Sequence, residues 1–177
     1  MNLELQVVDN FLPEKLFKKL KTYSVTLDYS SKKVHSQKIE ENTHVFLSNS
    51  ISKNDELIED IDKCLKKHFG IKIKNFHLAA FTCVNTKRAT PHKDVQAFPN
   101  EKHLIIYLNG DPKLNAGTGF YNFINEKTFD LNTAVGCFPN RAVLFNAEDW
   151  HSPLLYTAKD NLPRFSIIVW FEPENNL

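Results

Sequence analysis

The chain has 177 residues, 42% of them hydrophobic, which suits one domain burying roughly 70% of the surface its unfolded form would expose. Its 22 basic and 21 acidic residues nearly cancel, so there is no single-sign field to hold polyanionic nucleic acid or an anionic membrane without regard to sequence. Nucleic acid is therefore not implied as a partner.

Cys64, Cys83 and Cys137 are an odd number without C-x-x-C spacing, which argues against a disulfide framework or a zinc knuckle and for a reducing compartment. The start MNLELQVVDNF has no basic flank leading a long apolar run, and no window approaches the roughly 20 apolar residues of a membrane span. A soluble, unprocessed, cytoplasmic chain without a membrane partner is expected.

Leu3, Leu5 and Val7 alternate with polar neighbours, the period of a half-buried strand, and Asp9-Asn10 then offers turn and capping chemistry. From Pro13, Leu16, Phe17, Leu20 and Tyr23 recur at helical spacing, so a helix is predicted from about Pro13 to Tyr23. Ser30 to Asn42 is polar, charged and aperiodic, a candidate lid. Leu57, Ile58, Ile61, Cys64, Leu65 and Phe69 form a second helical stripe, opened by Asn54-Asp55 and closed by Gly70.

Beyond Gly70 the texture changes to short β-rich runs at Ile71–Val84, Leu104–Leu108, Gly119–Phe123, Ala142–Phe145 and Phe165–Phe171. Helices first and strands afterwards predict an α+β chain whose later part is a sandwich or barrel. No repeat or linker divides it, so residues 1–177 read as a single domain, with a helical part at about 1–70 and a β core at about 71–177. Gly110, Gly117 and Gly119 match neither a Rossmann loop nor a P-loop, and NGDPKLNAGTGF reads as a hairpin turn. Cys83 and His77 share a strand without an oriented third group, which disfavours a thiol nucleophile. Lys15, Lys18, Lys19 and Lys21 read as the solvated face of the first helix, and Trp150 as a packing residue, with a place at the mouth of a substrate site as the alternative.

In PHKDV, His92 and Asp94 are two residues apart, so an extended strand puts an imidazole and a carboxylate on one face. Such a pair is common in solvated loops and needs a third ligand. His151, in DWHSP, supplies one, and the three make a two-His, one-carboxylate facial set that leaves one face of an octahedral iron open. Thirteen positions after His151, Arg164 and Ser166 again share a face in PRFSIIVWF. An arginine fork and a hydroxyl there form a receptor for a carboxylate, as a dicarboxylate co-substrate requires.

With these residues in view, the sequence resembles the Fe(II)/2-oxoglutarate-dependent dioxygenase superfamily, in its prolyl 4-hydroxylase-like branch. The likeness runs through VVDNFLPEKL, PHKD, LIIYLN, GTGFYNF, NRAVLFNAEDWHSP and RFSIIVWF. It implies a double-stranded β-helix, the jelly roll of cupin-like proteins, preceded by supporting helices. It also implies Fe(II) held by His92, Asp94 and His151, with 2-oxoglutarate and dioxygen as co-substrates. Arg164 matches the residue that takes the distal carboxylate of 2-oxoglutarate, with Ser166 beside it. Tyr107 matches a tyrosine that in some relatives also contacts that carboxylate; the alternative is an ordinary core aromatic. Thr82 is a further hydroxyl on the strand entering the site. Many relatives have a glycine at the turn where this chain has Asn140-Arg141, and asparagine tolerates the left-handed conformation needed there. The resemblance thus implies a hydroxylase coupling oxidative decarboxylation of 2-oxoglutarate to attack on a C–H bond. A peptidyl proline or other protein side chain is the expected substrate. The alternatives are a small molecule or nucleobase, or a jelly-roll module that binds metal without chemistry. Ser30–Asn42 and Val95–Lys102 are the segments expected to select the substrate.

Overall fold

The computed structural model describes residues 4–29, 32–33, 45–84, 90–94, 96–154 and 163–174. The first strand, β1 (Gln6–Val8), leads through Asn10, whose φ of 55° is left-handed, into helix α1 (Glu14–Ser24), with Pro13 at the N-cap position. The two-residue strand β2 (Lys32–Lys33) is the described part of the candidate lid; the rest of Ser30–Asn42 lies outside the described residues. After β3 (Val45–Leu47) comes α2 (Glu56–Phe69), bounded as its sequence predicts. Asp55 caps it by accepting from the Leu57 N–H at 2.9 Å, and Gly70 ends it at φ 70°.

The remaining strands are β4 (Ile73–Val84), β5 (Lys102–Asn109), β6 (Lys113–Asn125), β7 (Thr128–Cys137), β8 (Ala142–Asn146), β9 (His151–Pro153) and β10 (Arg164–Pro173). They form two antiparallel sheets, a large one in the order β1-β8-β5-β10-β4-β3-β2 and a small one in the order β7-β6-β9. Both β1 and β3, from the predominantly helical first part, extend the large sheet.

Side-chain alternation divides the large sheet cleanly. Leu104, Ile106 and Leu108 of β5 and Phe165, Ile167, Val169 and Phe171 of β10 point to one face, where they pack with Leu20 of α1 and Ile58, Ile61 and Leu65 of α2. Burying each of those helix side chains contributes about 1.5–3 kcal/mol. The alternate residues face the small sheet, where Tyr107, Val143 and Phe145 meet Ala116, Phe120, Val135 and Cys137. The candidate site lies on this inner face.

Two details differ from the sequence reading. The stretch NGDPKLNAGTGF is a turn only around Gly110, whose φ is 142°; from Lys113 it is already β6, and the hairpin closes at Glu126-Lys127. Gly117 serves close approach instead: a Cβ there would stand 1.8 Å from the Val135 carbonyl oxygen across the hairpin. Asn140 does adopt the left-handed conformation, at φ 60°, and its side chain also binds the N-terminal segment. Its Oδ1 accepts from the Leu12 N–H at 2.8 Å and its Nδ2 donates to the Leu12 carbonyl at 2.9 Å. No described helix is long and apolar enough to cross a membrane.

Candidate metal centre

His92 and His151 are joined directly by an antiparallel bridge. The His92 N–H donates to the His151 carbonyl at 2.9 Å, and the His151 N–H returns the bond at 3.0 Å. The bridge places the imidazoles 4.7 Å apart, while β9 fixes His151 against β6, where it pairs with Phe120. The His92 Nδ1 donates to the Thr90 carbonyl at 3.1 Å, and the His151 Nδ1 to the Asp149 carbonyl at 2.9 Å. A carbonyl can only accept, so each neutral ring carries its proton on Nδ1 and keeps a lone pair on Nε2. Both Nε2 atoms face Asp94: that of His92 is 3.8 Å from Oδ1 and that of His151 is 3.4 Å from Oδ2. One ligand atom from each of the three residues lies within 4.8 Å of the others.

The Asp94 side chain is only 5% exposed. Burial opposes its ionisation, but His103 and His151 outweigh that and hold its carboxyl well below the ordinary range. A buried carboxylate with two imidazole lone pairs suits a divalent first-row metal such as iron.

The residues expected to receive a carboxylate lie on the same inner face. Ser166 of β10 stands between Thr82 of β4 and Tyr107 of β5 in the strand registers, and Arg164 shares its side of β10. Arg164 is buried, at 3% exposure, and its Nη1 donates to the carbonyls of Ala116 and Gly117. Its Nε is buried without a hydrogen-bond partner, and among the described residues Arg164 makes no ion pair. A buried guanidinium without a counter-ion is costly in a sealed interior and is suited to receive an anion. Hydroxyls stand beside it. Tyr107 lies under the guanidinium, 5.4 Å from ring centroid to Cζ, and shares a 2.7 Å hydrogen bond with Thr118. Burial pushes the Tyr107 phenol up to about 12, against the pull of Arg164, so it is a neutral donor near pH 7. Ser166 and Thr82 share a bond at 2.9 Å. Strand β6 connects the two halves: Thr118 meets Tyr107, and two residues on, roughly 7 Å at strand rise, Phe120 pairs with His151.

No protein-family model matches the sequence, and comparison with curated proteins gives no match. Solved structures do match. A prolyl hydroxylase from Trichoplax adhaerens, in complex with a hypoxia inducible factor oxygen degradation domain peptide fragment, aligns with a TM-score of 0.63 at 13% identity, over 94% of this chain and 83% of that one. A Pseudomonas putida prolyl-4-hydroxylase aligns with a TM-score of 0.61 at 14% identity, over 98% of this chain and 95% of that one. This chain has the prolyl hydroxylase fold.

Within that fold, His103 and Glu101 are functional candidates that the motif reading passed over. Both are buried, His103 on β5 and stacked on Trp170, and Glu101 immediately before that strand and bound to His77. Their sequence signal was the i, i+2 spacing in EKH, the same alternation that singles out His92 and Asp94. Trp150, read from sequence as a packing residue, lies at the edge of the core. It stacks on Phe123 at 5.3 Å, with Lys93 Nζ 5.5 Å from its ring centroid. Cys83 faces the helices, where burial pushes its thiol up to about 11, consistent with an inert role.

Proposed function

We propose that this chain is a non-haem Fe(II)- and 2-oxoglutarate-dependent hydroxylase acting on a proline or other side chain of a protein. On this reading residues 1–177 form one domain with a double-stranded β-helix core, and His92, Asp94 and His151 hold the metal. The observation that carries the proposal is the buried Arg164, without a counter-ion among the described residues, on the same inner face as a metal-competent triad. A metal kept only for structure has no use for such a receptor.

Arg164 would take the distal carboxylate of 2-oxoglutarate, while Tyr107 and Ser166 offer hydroxyls to the same end. With iron bound, the group couples dioxygen and 2-oxoglutarate to insertion of one oxygen atom into a C–H bond, releasing succinate and carbon dioxide. The protein's own residues bind, orient and exclude water. Phe120, Phe145 and Trp170 wall the site, and the side chain of His92, 42% exposed, marks its open side. A protein substrate is favoured because the Trichoplax structure contains a peptide and because Lys93 and the half-buried Trp150, sequence neighbours of the three candidate ligands, stand together beside the triad.

The test is incubation with Fe(II), 2-oxoglutarate and air, with and without a panel of proline-containing peptides. Peptide-dependent succinate, matched by gain of one oxygen atom in the peptide, is expected. Succinate stimulated only by small molecules would move the substrate class, and none from metal-loaded protein under any condition would refute the assignment.

A further inference from the structure

Asp94 touches more than the two candidate ligand histidines. Its Oδ2 stands 3.0 Å from Nδ1 of His103, and the other ring nitrogen of His103, Nε2, stands 3.4 Å from Oε1 of Glu101. The side chains of His103 and Glu101 are 1% and 0% exposed. Neither contact is a well-aligned hydrogen bond, and the ring is held between the carboxylates by packing. Trp170 stacks on it at 4.9 Å and 18°, and Phe145 meets it edge-on at 5.5 Å, which leaves it no room to turn. Glu101 is pinned in its turn. Its Oε2 accepts from the Ala97 N–H at 2.7 Å and the Phe98 N–H at 3.2 Å, and its Oε1 lies 2.9 Å from His77 Nδ1.

Resting on the metal assignment above, we propose that His103, backed by Glu101 and His77, is the positioning residue for Asp94. It engages one carboxylate oxygen so that the other serves the metal alone. The consequence is stereochemical: a carboxylate binding through both oxygens would take up a coordination position that the co-substrates need, whereas one held by His103 binds through one. Glu101 completes the device by fixing the far side of the ring, with its Oε1 beside Nε2, so that Nδ1 stays directed at Asp94. Partners of this kind typically alter metal affinity by about 10–100-fold when removed.

Co(II) is a suitable probe because its visible band reports coordination and its affinity can be titrated without turnover. Glu101→Gln removes the carboxylate that fixes the far side of the His103 ring, and Co(II) affinity should fall about tenfold; in His103→Leu it should fall about 10–100-fold with an altered band. His103→Asn keeps a donor on the Asp94 side and should retain most of the wild-type affinity. Circular dichroism and thermal unfolding of the metal-free variants identify those that fold; should His103→Leu not fold, Glu101→Gln and His103→Asn carry the test. Folded Glu101→Gln and His103→Leu proteins that bind Co(II) with wild-type affinity and spectrum would overturn the positioning role. If Asp94→Ala still abolished binding, the metal assignment itself would stand. Wild-type protein that bound no Co(II), or bound it equally well as Asp94→Ala, would overturn both.

Discussion

Replacing Arg164 separates the proposed co-substrate receptor from the proposed metal centre. In Arg164→Met the aliphatic stem keeps its place on β10, but the guanidinium that donates to the Ala116 and Gly117 carbonyls is lost. A hydrogen bond to a charged group is worth about 1.5–3 kcal/mol net. At about 1.4 kcal/mol per factor of ten, loss of that interaction with a bound carboxylate weakens 2-oxoglutarate by roughly 10–150-fold. Arg164→Lys keeps the charge without the fork and should fall between the two. There is also a folding cost, since Ala116 loses this donor whereas Gly117 keeps the Leu154 N–H at 3.0 Å. Urea unfolding of the metal-free proteins measures that cost separately. The assay is titration of 2-oxoglutarate into metal-loaded protein, with Co(II) affinity as the control. Unchanged 2-oxoglutarate affinity in a folded Arg164→Met protein would refute the receptor, as would a loss that merely tracks a loss of metal.

Two further outcomes follow from the geometry. Gly117→Ala would drive a Cβ to within 1.8 Å of the Val135 carbonyl oxygen, a backbone atom, so the β6–β7 hairpin must shift; a loss of about 1–3 kcal/mol or more is expected in urea unfolding, and wild-type stability would contradict the packing described. Burial opposes ionisation of Glu101, but His103, His77 and the Ala97 N–H outweigh it and hold its carboxyl at about 2, against an ordinary value of 4.5. A folded-state value below the unfolded one stabilises the fold above about pH 4.5, and the contribution is lost as pH falls toward 2. Thermal unfolding of the metal-free protein should therefore drop more steeply over that window in the wild type than in Glu101→Gln, and identical acid limbs would remove Glu101 from the account.

Much of this arrangement was legible in the sequence because it depends on local rules. Asp55 and Gly70 bracket α2 through backbone caps, which act within a turn, and the alternation in RFSIIVWF sorted Arg164 and Ser166 from Phe165 and Ile167 before any fold was known. Strand β7 was missed because its residues are polar and largely exposed up to Ala134 and its pairing with β6 is interrupted by irregularities, so no clean alternation survives. Strand β9 was missed because three residues are too few to show a period. His103 lies one residue before the strand-like run Leu104–Leu108 and Glu101 inside Val95–Lys102, and what makes them functional candidates is the contact of His103 with Asp94, its packing partner Trp170 from another strand, and Glu101 behind it. Such long-range contacts have no local signature. That Arg164 has no counter-ion among the described residues is likewise a property of the assembled interior.

The central claim is that one site holds a divalent iron and 2-oxoglutarate together. Anaerobic addition of Fe(II) and 2-oxoglutarate, read for the weak visible charge-transfer band of the chelate, tests it most directly. The wild type should develop the band, Asp94→Ala should not, and Arg164→Met should need far more 2-oxoglutarate to reach it. Folded, iron-loaded wild-type protein that gives no band at saturating 2-oxoglutarate would contradict the claim.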